Sequence, residues 1–134
     1  MQRSITVLLV DAAEASRAQI RYYLAEFPIF TIVGEASSFD AMLAAVGRHH
    51  PDLVFLDEAL LDGTETDVLA LFNDDFSGRM VLLTASIDAR TSILRNTALA
   101  LLYKPVSRPR FVALLQGIRD LFLVEEAEQI HRQE

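Results

Sequence analysis

Four apolar runs in this chain each stop at a polar residue: ITVLLV at Asp11, PDLVFL at Asp57, RMVLL at Thr84 and ALALLY at Lys104. Between them lie segments whose apolar residues recur at helical spacing, such as AEASRAQIRYYLAEF after Asp11. A short continuous apolar run followed by a segment of helical period reads as a buried strand feeding a helix. Repetition of that unit requires a parallel sheet with helices on both faces, joined by right-handed crossovers. Parallel strands end at a common edge. Two carboxylates, a hydroxyl and an ammonium therefore gather at the carboxyl edge of the sheet, where open α/β sheets place their chemistry.

The alternation resolves into five cycles. The first strand covers 5–10, and Pro28 closes the helix region that follows it. A second strand spans 29–35, and SSFDAMLAAVGRHH gives a second helix capped by Ser38 or Ser37. LVFLD is the third strand, and a loop holding Asp62 and Gly63 leads to a third helix starting at Glu65. Thr64 and Asp67 have the spacing of a capping box with a shorter acid. Residues 74–78 make a turn, 79–84 a fourth strand, 88–97 a fourth helix and 99–103 a fifth strand. The last helix begins near Arg108, with Pro109 suited to its first turn. Phe111, Leu114, Leu115, Ile118 and Phe122 recur along it at intervals that pack it onto the sheet.

At 134 residues the chain is long enough for one well-buried core and too short for two ordinary domains. A hydrophobic content of 51% against 23% charged excludes a disordered chain. Net charge is −7 and the basic residues are thinly spread, so no direct nucleic-acid binding is expected; cations or basic protein surfaces suit this chain better. Cysteine is absent, which excludes disulfides and thiolate metal sites and is compatible with a reducing cytosol. The apolar runs fall far short of a membrane span, and the first residues lack the pattern of a signal peptide. A cytoplasmic protein without membrane contact is the expectation. His49 and His50 precede Pro51, and His131 lies in a charged tail; none has companions at metal-ligand spacing.

Asp11, Asp57 within PDLVFLD, Thr84-Ala85 and Lys104-Pro105, in this order and at these intervals, resemble the receiver domain of bacterial two-component response regulators. The resemblance covers nearly the whole chain and implies a flavodoxin-like, doubly wound sheet of five parallel strands in the order 2-1-3-4-5. It implies a receiver domain over 1–122, with 123–134 extending the last helix or starting a connector. By the same resemblance Asp57 accepts a phosphoryl group from a histidine kinase or phosphotransfer protein, with output through protein–protein contact or a C-terminal module. A carboxylate is a workable nucleophile because the acyl phosphate it forms is labile. Lys104 would pair with one phosphate oxygen and Thr84 would donate a hydrogen bond to another. Mg²⁺ would touch Asp57, the main-chain carbonyl of Ala59 and Asp11, the last acting through water. A cis peptide at Lys104-Pro105 would aim the lysine into the pocket, and dimers would form through the fourth helix, fifth strand and fifth helix.

Several positions depart from that pattern. Ala12 stands where the second acid after the first strand usually ligates the metal; Glu14 is the nearby acid able to reach back. Leu61 and Glu65 replace the usual proline and glycine of the loop after Asp57, with Gly63 shifted earlier. Leu101 stands where an aromatic switch residue is usual, with Tyr103 two positions on and on the same side of the strand. Ala59 and Ser86, at the places that flank the phosphoryl group, are small and would leave it open to water. The expected activity is that of a phosphoacceptor with self-catalysed phosphorylation and dephosphorylation, not of a metabolic enzyme. The alternative is a degenerate receiver acting as a phosphorylation-independent interaction or dimerisation module. Singly, Asp57 reads as a loop acid, Thr84 as a turn residue and Lys104 as a solvated amine; their conjunction carries the sharper reading. A flavin protein of similar topology fits less well, because no Ser/Thr/Gly-rich phosphate loop follows the first strand.

Overall fold

The apolar runs form one parallel sheet. In a computed structural model that describes residues 4–61, 63–72, 77–85 and 92–133, the strands are β1 (Ile5–Val10), β2 (Phe30–Ala36), β3 (Leu53–Asp57), β4 (Arg79–Thr84) and β5 (Ala100–Tyr103). The helices are α1 (Glu14–Leu24), α2 (Phe39–His49), α3 (Glu65–Ala70), α4 (Ser92–Thr97) and α5 (Arg108–Gln133). The strand order is β2-β1-β3-β4-β5, and every neighbouring pair is parallel. This is the doubly wound order that the sequence resemblance implies. Every residue of β3 is buried, which explains why its sequence is a continuous apolar run rather than an alternation.

Alternate residues of each strand serve opposite layers. On one face Val7, Leu9, Phe55, Leu83 and Leu102 pack against Ile20 and Leu24 of α1 and Phe111, Leu115 and Ile118 of α5. The Phe111 ring sits 5.5 Å from Phe55 and 5.6 Å from Tyr23, so one aromatic joins strand, first helix and last helix. On the other face Leu8, Val10, Leu56 and Leu82 meet Met42 and Val46 of α2, Val68 of α3 and Leu94 of α4.

Local chemistry sets the element ends. Ser38 caps α2, its hydroxyl accepting from the Ala41 N–H at 3.1 Å, and His50 closes the helix with φ 46° and an N–H bonded to the Val46 carbonyl. The second strand runs one residue later than the predicted 29–35. The Phe30 N–H still closes a turn onto Phe27, while the Ala36 carbonyl accepts from Asp11 N–H and so prolongs the pairing. The third helix begins at Glu65 as predicted, but without the capping box: Thr64 has no side-chain cap, and its hydroxyl instead donates to the Leu61 carbonyl at 3.0 Å. Ahead of it Glu58–Leu61 wind into a 3₁₀ turn, and Gly63 takes φ 79°, a left-handed conformation that glycine adopts without steric penalty. The fifth strand starts at Ala100 rather than at Leu99, whose N–H bonds the Met80 carbonyl. Residues 86–91, which include Ser86 and the start of the expected fourth helix, lie outside the described residues, as do Asp62 and most of the expected 74–78 turn. α5 continues well past residue 122, and at 26 residues it is about 39 Å long. No helix among the described residues is long and apolar enough to cross a membrane.

Candidate functional site

Among the described residues, the buried polar side chains are Asp11, Asp57 and Thr84, exposed by only 1%, 8% and 2%. All three lie at the carboxyl edge of the sheet. Asp57 is the last residue of β3, in register with Leu83, and Asp11 follows β1, the neighbour of β3. Thr84 ends β4, and its carbonyl accepts from the Lys104 N–H at 2.7 Å, which fixes the start of the loop after β5 against β4. The Lys104-Pro105 peptide is cis, as the resemblance implies.

From that anchor the Lys104 side chain bridges both acids. Its Nζ lies 2.6 Å from Asp11 Oδ2 and 3.2 Å from Asp57 Oδ2. The second oxygen of each carboxylate accepts from the backbone N–H two residues on: Ala13 to Asp11 Oδ1 at 2.9 Å, and Ala59 to Asp57 Oδ1 at 3.0 Å. Burial by itself pushes the Asp11 carboxyl up, but the Lys104 ammonium, the Ser16 hydroxyl and the Ala13 N–H together hold it below its ordinary value. Burial likewise disfavours the Lys104 ammonium, and the two carboxylates more than offset this, so its pKa is raised. The result is a compact triad in which one lysine bridges two aspartates.

Glu14 does not join it. Its exposed carboxylate bonds Arg17 and Arg21, the latter at 2.9 Å, so the acid suggested as a replacement metal ligand is committed to an arginine cluster on the flank of α1. Arg17 also donates to the Asp11 carbonyl and to Glu35 of β2, the latter at 2.9 Å, and Arg21 shares Glu35. The pairing of Arg17 with Glu35, eighteen positions apart, had no signal in the sequence spacing.

Thr84 faces a partner that the sequence did not flag. Its hydroxyl donates to Glu58 Oε1 at 2.9 Å, and Arg95 of α4 grips the same carboxylate with two bonds, Nε to Oε2 and Nη2 to Oε1, both 2.8 Å. Arg95 Nη2 also approaches the Thr84 hydroxyl oxygen at 3.4 Å. Both ionic side chains are nearly buried, 13% exposed for Arg95 and 10% for Glu58. The one available clue was an acid directly after Asp57. Leu101 is partly buried against the layer that holds α4, while Tyr103 is 45% exposed at the strand end. An apolar groove lined by Leu99, Leu114, Ile118 and Leu121 lies on the face where the fifth strand and fifth helix were expected to support a dimer.

Of the donor set that the resemblance implies for a hard cation, the structure brings the Asp11 and Asp57 carboxylates together on Lys104. No group of three or more Asp, Glu, His or Cys side chains suited to hold a metal occurs among the described residues, and Ala12 adds no side-chain oxygen beside Asp11. Two carboxylates fit a magnesium ion that draws its other ligands from water and phosphate; they do not make a cage by themselves.

No protein-family model matches the chain. In sequence it is similar to the transcriptional regulatory protein BtsR of Escherichia coli (strain K12), 28% identical over 131 residues, which cover 93% of this chain and 55% of that protein. The chain thus spans about half the length of such curated relatives. In structure it is similar to the signal receiver domain of the putative response regulator NarL from Mycobacterium tuberculosis, with a TM-score of 0.74 and 21% identity over 87% of this chain and 97% of that one. It is also similar to one chain in the structure of a complex of CheY6 with the P1 domain of CheA3 from R. sphaeroides, with a TM-score of 0.71, 20% identity and coverage of 91% of this chain and 99% of that one.

Proposed function

We propose that this chain, which has the fold of a receiver domain and response regulators for sequence relatives, is a phosphoacceptor signalling switch whose accepting residue is Asp57. The observation that carries the reading is the bridging of Asp57 and Asp11 by Lys104 at one sheet edge. A nucleophilic carboxylate needs a cation nearby when a second anion approaches, and Lys104 already sits between the two acids. The donor is a phosphohistidine of a kinase or phosphotransfer protein. Its P–N bond breaks as an Asp57 oxygen bonds to phosphorus, and the imidazole nitrogen keeps the electron pair and then takes a proton from solvent. Lys104 exchanges a carboxylate for a phosphoryl oxygen, and the Ala59 N–H orients the Asp57 carboxylate through the bond it already makes. Magnesium, held by Asp57, the Ala59 carbonyl and Asp11, would neutralise the incoming oxygens.

Residues 1–122 form the receiver unit in this reading, and 123–134 continue its last helix toward a partner or connector. The chain then acts in the cytoplasm by protein contact, without binding nucleic acid itself. A dimer through α4, β5 and α5 would use the groove beside Leu99 and Leu114. A phosphorylation-independent interaction module is the second reading, favoured by the thin donor set that Ala12 leaves.

Intact mass after incubation with acetyl phosphate or phosphoramidate, with and without Mg²⁺, separates the two. A gain of about 80 Da per phosphoryl group that needs Mg²⁺ and disappears in Asp57→Ala supports the switch. No gain in wild type at any Mg²⁺ concentration, with a phosphorylated histidine donor included, leaves the interaction module.

A further inference from the structure

We infer that Glu58 and Arg95 are positioning residues that hold Thr84 in the resting state and carry the state of Asp57 to α4. This rests on the phosphoacceptor reading above. A threonine hydroxyl has one proton to donate. In the structure that proton goes to Glu58 Oε1 at 2.9 Å, so Thr84 can bond a phosphoryl oxygen at Asp57 only by releasing Glu58. The conflict is sharpened by charge, because Glu58 is the next residue after Asp57, and a phosphoryl group adds about −1.5 to −2 charge at pH 7. The phosphoryl group therefore both repels Glu58 and competes for its hydroxyl donor.

Glu58 is not an isolated side chain. Its carboxylate is gripped in a two-bond fork by Arg95, one residue after Leu94, which is fully buried in the core on that face. Displacing Glu58 must either pull Arg95 or break a nearly dry ion pair, and both act on α4. Leu101, partly buried against the same layer, has no hydroxyl with which to follow Thr84. The Glu58–Arg95 pair thus supplies a polar route from the carboxyl edge to α4.

The test is amide exchange of 92–97 in the full chain, compared with 53–57 as an internal reference, for wild type, Glu58→Gln and Arg95→Lys. Glu58→Gln keeps an acceptor for Thr84 but removes the charge. Arg95→Lys keeps the charge but loses the fork. At rest, α4 should exchange about tenfold faster in Glu58→Gln, the worth of one hydrogen bond to a charged group, with Arg95→Lys intermediate. Phosphorylation, followed by mass on the same samples, should speed α4 exchange in wild type and add little in Glu58→Gln. Wild-type exchange at rest in Glu58→Gln, equal acceleration in 53–57, or a full phosphorylation response in that variant would each overturn the inference. Absence of any mass gain in wild type would instead remove the phosphoacceptor reading, and the resting comparison would still decide whether Glu58 restrains α4.

Discussion

Replacing Lys104 with methionine should convert the most buried acid of the site from a stabilising group into a destabilising one. Lys104→Met keeps most of the side-chain volume and removes the ammonium that donates to Asp11 at 2.6 Å and to Asp57 at 3.2 Å. A hydrogen bond to a charged group contributes about 1.5–3 kcal/mol, and breaking a fully buried pair costs about 3–5 kcal/mol. The Lys104 side chain is 21% exposed and that of Asp57 is 11% exposed, so water recovers part of the loss. The net cost at pH 7 should be about 2 kcal/mol, lowering the thermal midpoint by roughly 8 °C for a domain of this size.

The pH dependence distinguishes this cause from a packing defect. In wild type the folded pKa of Asp11 is depressed, so its contribution is fully present above the unfolded value near 3.9 and is lost only as pH falls through the depressed folded value. Between pH 7 and 5 this group leaves wild-type stability unchanged. Lys104, with a raised folded pKa, contributes fully below its unfolded value and loses that contribution only in strong alkali. In the variant, burial, the largest single influence on Asp11, is opposed only by the Ser16 hydroxyl and the Ala13 N–H; it should outweigh them and raise the folded pKa above the unfolded one. Acidification from pH 7 to 5 should then restore part of the variant's lost stability, and adding Asp11→Asn should restore part of it at pH 7. Urea unfolding of wild type, Lys104→Met and the double variant at both pH values is the assay. A deficit that is constant or larger at pH 5, or below about 0.5 kcal/mol at pH 7, would refute the reasoning.

Ala12→Asp should tighten Mg²⁺ binding about tenfold or more by adding a direct carboxylate ligand beside Asp11, read as a larger Mg²⁺-dependent rise in thermal midpoint; equal responses would contradict the assigned metal position. Ser38→Ala removes the acceptor for the Ala41 N–H and should cost about 1 kcal/mol in urea unfolding, with Ser38→Asp recovering most of it. Phe111→Ala should cost about 3–5 kcal/mol in the same assay, since this ring is fully buried and touches Phe55 and Tyr23 together.

What was legible in the sequence was what local pattern determines. The strand ends at Val10, Asp57 and Thr84 and the Ser38 cap follow from apolar runs and short-range capping chemistry, whereas the third helix starts at Glu65 without the cap that suggested it. The strand order came through the family resemblance rather than from any single run, because order depends on crossovers that periodicity does not encode. The Thr64 capping box failed because a hydroxyl can also donate, and the Leu61 carbonyl at the end of the 3₁₀ turn was nearer to hand. The Glu58–Arg95 pair and the Arg17–Glu35 pair were illegible for a different reason. Their partners lie thirty-seven and eighteen positions apart, on elements brought together only by the sheet. Glu14 shows the same limit, since its distance in sequence from Asp11 fits a shared site while two arginines of its own helix claim it.

Locating the phosphoryl group within the chain is the most direct test of the central claim. After treatment with acetyl phosphate and Mg²⁺, tandem mass spectrometry of the peptide that ends β3 should place a single phosphoryl group on Asp57. A phosphoryl group on another residue, or a chain that stays unmodified with both small-molecule and phosphohistidine donors, would contradict the account.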